Sequence, residues 1–223
     1  DVLQDSPKRS ALSTQTKRGD FDYLVKSRPG FSEGKVKFPL GITQGQKVTQ
    51  LLRDLLQQGE QVESFDQLPI PFRAVATSLE TGQAVVLSSG DLALSVRASM
   101  SLPGIFAPVV LNDQHLVDGG VAANLPIETV RAMGAEVVIA VDITSALLKY
   151  DEIDSVFSVT EQLINIMTRR NAELQIATLS ERDILIRPNV LEIGTMDFAN
   201  TLDSVEPGYQ AANDHAYKFA SLG

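Results

Sequence analysis

The sequence predicts an α/β protein with a mostly parallel sheet layered by helices. Three observations lead to this class. Helical and strand patterns alternate along most of the 223 residues. Residues 136–143, "EVVIAVDI", are almost continuously apolar and follow a helical segment, which is typical of a buried parallel strand. The composition, 43% hydrophobic and 21% charged, is that of a globular chain able to bury a sizeable core.

The first part of the chain predicts a helix, a strand pair and a short second helix. Residues 1–20 have no hydrophobic period and predict an irregular segment. Residues 41–60 place leucines at helical spacing, with Gly59 as the stop. Residues 71–90 predict two strands around the turn "ETGQ". Asp91 is then suited to cap the short helix that follows.

The middle of the chain predicts a second strand pair and another helix. Residues 107–120, "APVVLNDQHLVDGG", turn at Asn112-Asp113 and end at the two glycines. Pro126 is suited to the first position of the next helix, and Gly134 to its C-cap.

The last part of the chain predicts a long helix over residues 154–179, a short strand over residues 183–188 and a terminal helix over residues 205–221. Several apolar residues of the long helix share one side, and core packing is the expectation for them, with the lining of an acyl pocket as the alternative. They are Val156, Val159, Leu163, Ile166 and Met167.

Charge and residue types exclude several classes of function. The net charge is −9, and the acidic excess lies after residue 73, which argues against a nucleic-acid partner. The absence of cysteine excludes disulfides, thiolate catalysis and cysteine-ligated metals. The two histidines, His115 and His215, lie far apart and show no metal-ligand spacing. Asp142 ends an apolar strand but has no glycine-rich phosphate loop before it, so no nucleotide or other cofactor is indicated.

Asp118, in "HLVDGGVAANLP", has two readings. Asp-Gly is a common turn signal, so the carboxylate could cap its own backbone while the glycines adopt positive φ. A carboxylate at a strand end of an α/β sheet could also act as a base, because catalytic groups collect at strand ends. Such a carboxylate can activate a serine where no histidine serves.

Longer motifs bear on this choice. Residues 96–143 contain "RASMSLPGIFAP", then a short hairpin, then "LVDGG" and "NLP". This run resembles the bacterial patatin-like phospholipases, and residues 70–99 continue the match upstream. Residues 21–48 resemble the subgroup whose patatin domain is exported ahead of its own outer-membrane barrel. The resemblance covers most of residues 20–223 and favours the functional reading of Asp118.

The resemblance implies a serine hydrolase of the phospholipase A or lysophospholipase type, acting through a Ser-Asp dyad without cofactor. Asp118 would be the dyad carboxylate. Gly119 and Gly120 would keep its approach open, and Asn124 would fix the loop through side-chain to backbone hydrogen bonds. The expected substrate is a phospholipid or another acyl ester, met in transient contact with a membrane. The subgroup resemblance implies a location at the outer membrane or outside the cell.

The family's nucleophile lies in a Gly-x-Ser-x-Gly motif nearer the N-terminus, and we expect it to precede residue 1. Ser99 and Ser101 belong to the "RASMSLPG" match, and "LSSGD" at residues 87–91 lacks the leading glycine. We therefore expect residues 21–223 to be the C-terminal part of one patatin-like domain, incomplete at its N-terminus, with an exposed apolar surface. The alternative is a binding or scaffold module that has kept the fold and lost the serine.

Overall fold

The computed structural model describes residues 30–32, 35–37, 41–56, 62–190 and 200–222. The chain divides into two compact units, with the boundary between Gly119 and Gly120. The irregular segment predicted over residues 1–20 and the helix stop predicted at Gly59 lie outside the described residues.

The first unit contains eight strands and two α-helices among its described residues. They are β1 (Gly30–Ser32), β2 (Lys35–Lys37), β3 (Gly41–Thr43), α1 (Gln46–Leu56), β4 (Ala74–Ser78), β5 (Ala84–Leu87), α2 (Leu92–Ser99), β6 (Gly104–Phe106), β7 (Val109–Leu111) and β8 (Gln114–Asp118), the last of the unit. Four strands form a sheet in the order β5-β4-β8-β7. Strands β1 and β2 form an antiparallel pair, and β3 and β6 a parallel one.

The four-stranded sheet is built from two local hairpins. Strands β4 and β5 form one antiparallel hairpin, and β7 and β8 form the other. Asn112 and Asp113 both have positive φ, 50° and 60°, which a two-residue turn matching the strand twist requires. Strand β4 is buried along its whole length, because it lies between β5 and β8. Both predicted strand pairs are confirmed.

Helix α2 starts and packs as its sequence predicts. The Asp91 carboxylate accepts a hydrogen bond from the backbone N–H of Leu94 at 2.9 Å, so the predicted N-cap is confirmed. The core of this unit combines small residues of β4 and α2 with leucines of the neighbouring strands. Its buried members are Ala74, Ala76, Leu87, Ala98 and Leu116.

The second unit contains five helices and two strands among its described residues. They are α3 (Gly120–Ala123), α4 (Ile127–Ala132), β9 (Ile139–Val141), α5 (Val156–Ile176), β10 (Ile184–Ile186), α6 (Val205–Asn213) and α7 (Ala216–Ala220). Strands β9 and β10 pair in parallel, and Ile127, Val138 and Ala140 form a small buried core beside them.

The α/β class is confirmed, and the structure corrects how its sheet is paired. A mostly parallel sheet was expected, whereas the parallel pairs among the described residues are β3-β6 and β9-β10. The four-stranded sheet is antiparallel throughout. The β4-β5 and β7-β8 connections are only a few residues long, whereas parallel neighbours need a long crossover.

Helix α5 buries the side that the apolar spacing did not predict. Val159, Leu163 and Ile166 are 46%, 56% and 46% exposed, so the expected core face is largely open to solvent. The opposite side carries Ser158 and Asn165, which are buried. Polar side chains on this side bind loop backbone; the Asn165 amide, for example, donates to the carbonyl of Ala146 at 3.5 Å. Hydrogen bonding to a loop therefore decides the helix orientation.

Two helix boundaries also differ from those predicted. Pro126 is the N-cap of α4 and not its first helical residue, with φ −75° and ψ 65°. The terminal helix is divided into α6 and α7, because the His215 N–H bonds back to the carbonyl of Ala212 in a tight turn. No helix in the described ranges is both long enough and apolar enough to cross a bilayer.

Candidate active site

Asp118 is the last residue of β8, and its backbone is held from two directions. Its N–H donates to the carbonyl of Ser101 at 2.9 Å. Its carbonyl accepts a hydrogen bond from the Thr77 hydroxyl at 2.8 Å. Asp118 is also paired with Ala76 in the ladder between β4 and β8. The carboxylate is thus carried by a fixed strand end and is half-buried.

The segment that supports Asp118 is in turn fixed by a buried arginine. Arg97 is 1% exposed, and its guanidinium donates to the hydroxyl of Ser101. That hydroxyl donates to the carbonyl of Arg97 at 2.7 Å. The guanidinium also lies over the ring of Phe106, 4.4 Å from its centroid. The motif "RASMSLPGIF" therefore builds the support for the strand end that carries Asp118.

Sequence reasoning missed Thr77 and Arg97 as parts of this site. Thr77 lies in a strand whose residues are all buried, where a threonine has no distinctive signal. Arg97 lies in the motif that carries the family resemblance, and a cation within an otherwise apolar helix could have identified it as a buried anchor.

Gly119 is buried because the chain passes very close to β4. A Cβ at this position would lie 2.0 Å from the carbonyl oxygen of Val75. The N–H of Gly119 points to the carbonyl of Ser99, 3.4 Å away. The resemblance implied that this glycine keeps the approach to Asp118 open, and the geometry adds that β8 can end here only without a side chain.

Replacing Gly119 by alanine should lower the free energy of unfolding by about 2–3 kcal/mol, since backbone atoms of β4 must move to admit the methyl group. Urea unfolding measures this change. Gly208 in α6 has open space around its Cα, so Gly208→Ala should be neutral or slightly stabilising. A Gly119→Ala protein as stable as the parent would contradict the close approach.

Gly120 and Asn124 belong to the second unit. Gly120 is half-buried and is the first residue of α3. The Asn124 side-chain amide donates to the Thr144 hydroxyl at 3.0 Å. Side-chain to backbone bonds were expected of Asn124, whereas the contact found joins two side chains.

The two histidines have structural partners. The Nδ1 atom of His115 lies 2.6 Å from a carboxylate oxygen of Glu80, and the His115 N–H also bonds this carboxylate. The His115 side chain holds the pKa of Glu80 at about 2. The Nε2 atom of His215 lies 2.7 Å from the carbonyl of Leu185. Among the described residues, no three histidine or acidic side chains cluster as a metal site would require.

Residues 30–34, "GFSEG", do match the Gly-x-Ser-x-Gly spacing that was expected only before residue 1. Gly30–Ser32 is strand β1, and Ser32 pairs with Lys35 of β2. A nucleophile elbow places its serine on a sharp turn from a strand into a helix. The next element after β1 is instead a strand, so Ser32 has the setting of a hairpin end.

Comparison with known proteins decides the family. The family model for patatin-like phospholipases matches residues 5–131, a range that includes Asp118 and both glycines. The chain belongs to the patatin-like phospholipase family. The barrel-exported subgroup within this family stays a prediction.

Relatives with curated names agree with this assignment. An uncharacterised NTE family protein of Mycobacterium tuberculosis is 32% identical over 134 residues, which are 60% of this chain and 36% of that protein. Lysophospholipase nte1 of Emericella nidulans is 28% identical over 185 residues, 73% of this chain and 12% of that protein. The mouse patatin-like phospholipase domain-containing protein 7 is 42% identical over 83 residues, 36% of this chain and 6% of that protein. The chain thus spans about a third of the length of the mycobacterial relative.

Proposed function

We propose that this chain provides the acid/base carboxylate of a lipid acyl hydrolase of the phospholipase A or lysophospholipase type. The observation that carries the proposal is Asp118 at the end of β8, with its backbone bonded to Ser101 and Thr77 and followed by a glycine in close contact with β4. Family membership supports a lipid ester as substrate. The fungal relative, which is named a lysophospholipase, supports it as well.

In this mechanism Asp118 moves one proton back and forth. Its carboxylate takes the proton of the serine hydroxyl as the oxygen attacks the ester carbonyl. The ester bond to the alcohol breaks, the alcohol leaves with the proton from Asp118, and an acyl-serine remains. Asp118 then takes a proton from water, which attacks the acyl-serine and releases the fatty acid. The serine regains its proton, so the enzyme returns to its first state.

The nucleophile in this proposal is a serine of the intact protein that lies outside residues 1–223. The strand that follows β1 argues against Ser32. The open apolar side of α5 supports the expectation that a further part of the domain, N-terminal to this chain, packs on the described residues.

Membrane contact and export follow from the proposed substrate and from the subgroup resemblance of residues 21–48. Transient binding to a membrane surface is the expected route to a phospholipid. A location at the outer membrane or outside the cell rests on that N-terminal resemblance alone. The alternative function, a binding or scaffold module without a serine, shares the fold and differs in having no turnover.

Fluorophosphonate labelling of the intact protein tests the proposal. We expect one adduct, which peptide mapping places on a serine outside residues 1–223. Ser32→Ala should label and hydrolyse as the parent does, because its serine ends a hairpin. Loss of the adduct in Ser32→Ala would identify Ser32 as the nucleophile. An intact protein that takes no adduct and shows no turnover would favour the scaffold alternative.

A further inference from the structure

The segment that follows Asp118 in sequence has a conformation that needs support from outside itself. Helix α3 spans only Gly120–Ala123, about one turn, and so short a helix is not stable alone. Leu125 then has φ +56°, in the left-handed region that a branched side chain disfavours. Strained backbone of this kind persists only where surrounding contacts hold it, and it is concentrated at functional sites.

Two contacts within the second unit hold this segment. The Asn171 side chain of α5 donates to the carbonyl of Val121 at 2.6 Å. The Asn124 side chain donates to the Thr144 hydroxyl at 3.0 Å, just beyond β9. The first contact fixes the helical turn, and the second fixes the residue next to the strained Leu125.

The contact of Asn124 has a defined direction because Thr144 is bound to an ionised carboxylate. The Thr144 hydroxyl and backbone N–H donate to the same oxygen of Asp142, at 2.6 and 3.1 Å. Arg187 donates to the other oxygen at 3.1 Å. Burial raises the pKa of Asp142, but the bonds from Thr144 and Arg187 outweigh it and keep the pKa below its ordinary value.

A hydroxyl that donates its only proton to a carboxylate can offer only lone pairs to its other neighbour. Asp142 therefore makes the Thr144 oxygen an acceptor, and the acceptor selects the NH₂ end of the Asn124 amide. Three successive polar contacts therefore orient the Asn124 side chain. They run from Arg187 to Asp142, from Asp142 to Thr144 and from Thr144 to Asn124.

We propose that Thr144, oriented by Asp142, and Asn171 are positioning residues that hold residues 120–125, the segment that comes directly after Asp118-Gly119 in the chain. This inference rests on the proposed function, because it assigns to these side chains a role in the same reaction. They act through the backbone of residues 120–125, and none of them is assigned a contact with the substrate.

Thr144→Val in the intact protein tests the proposal, since valine keeps the shape of threonine and removes the hydroxyl. We expect hydrogen exchange of the amides of residues 120–127 to be about fivefold faster, as after the loss of one hydrogen bond. We expect kcat for ester hydrolysis to fall about tenfold or more with KM nearly unchanged, because a loosened segment directly after the catalytic carboxylate in the chain slows the chemical step. Thr144→Ser should restore both properties.

Two further variants make the test specific. Asn171→Asp removes the donor to Val121 and should also speed exchange in residues 120–127. Thr178→Val is the matched control, because the Thr178 hydroxyl donates to the carbonyl of Gln175 at the end of its own helix, so the substitution should affect neither readout.

The outcomes separate this inference from the proposed function. Unchanged hydrogen exchange of residues 120–127 in Thr144→Val would show that the Thr144 hydroxyl does not hold this segment, whatever the activity. Faster exchange with unchanged kcat would overturn the link to catalysis. A parent protein without turnover or fluorophosphonate adduct would overturn the proposed function. Comparison of hydrogen exchange in the parent and in Thr144→Val would still decide whether Thr144 holds residues 120–125.

Discussion

Replacing Asp118 by asparagine in the intact protein should reduce ester hydrolysis at least about 10³-fold and leave the fold intact. Asparagine keeps the size of the side chain but cannot accept the serine proton, so the step that activates the nucleophile is lost. The backbone bonds to Ser101 and Thr77 do not involve the side chain and remain. We expect the free energy of unfolding to stay within ~1 kcal/mol of the parent.

The matched control is Asp113→Asn in the turn of the same hairpin. Asp113 has φ 60°, a conformation that asparagine adopts as readily as aspartate, so activity and stability should both be kept. Initial rates on a phospholipid or a short-chain ester, together with thermal unfolding, measure both properties. An Asp118→Asn protein that is fully active, or one that is unfolded, would contradict the catalytic role and indicate that Asp118 is a structural turn residue.

Local sequence signals predicted the hairpins of this fold well. The pair Asn112-Asp113 tolerates positive φ at both positions, and Asp91 can accept a bond from a helix N-terminus. Each of these structures forms between residues close in sequence, so neighbouring residue types determine it. The position of Asp118 at a strand end follows from the same hairpin.

Contacts between distant residues could not be predicted in this way. The apolar spacing of α5 indicated a buried side, but hydrogen bonds such as that from Asn165 to Ala146 place the polar side inward. The contacts of Thr77 with Asp118 and of Asn171 with Val121 join residues 41 and 50 positions apart. A single sequence carries no period or motif that reports such pairs.

Asp183, just before β10, is the clearest example of a carboxylate whose role is structural. Its side chain is fully buried and accepts hydrogen bonds from the N–H groups of Ser180 and Val138 at 2.6 and 2.7 Å. The Ser180 hydroxyl and the Arg131 guanidinium complete its surroundings. Burial raises the pKa of Asp183, but these donors outweigh it and lower the pKa to about 2.

Asp183→Asn should therefore lower the free energy of unfolding by about 3 kcal/mol at pH 7. The NH₂ group of the asparagine cannot accept hydrogen bonds from the donors that now surround the carboxylate. The folded pKa lies below the unfolded value, so the carboxylate of the parent stabilises the protein above about pH 4. That contribution, roughly 2 kcal/mol, is lost as the pH falls from about 4 to 2. The difference between parent and variant should shrink over the same interval.

Chemical unfolding between pH 2 and 7 measures this difference, and Asp66→Asn is its control. Asp66 is 55% exposed beside Arg73, so water already solvates its charge and the substitution should leave stability unchanged at neutral pH. A constant difference between parent and Asp183→Asn over the whole range would contradict the lowered pKa of Asp183. The Asp183 carboxylate bonds the backbone of its own unit, whereas the backbone of Asp118 is held without its carboxylate. Asp183→Asn should therefore lower stability, and Asp118→Asn should lower activity at nearly unchanged stability.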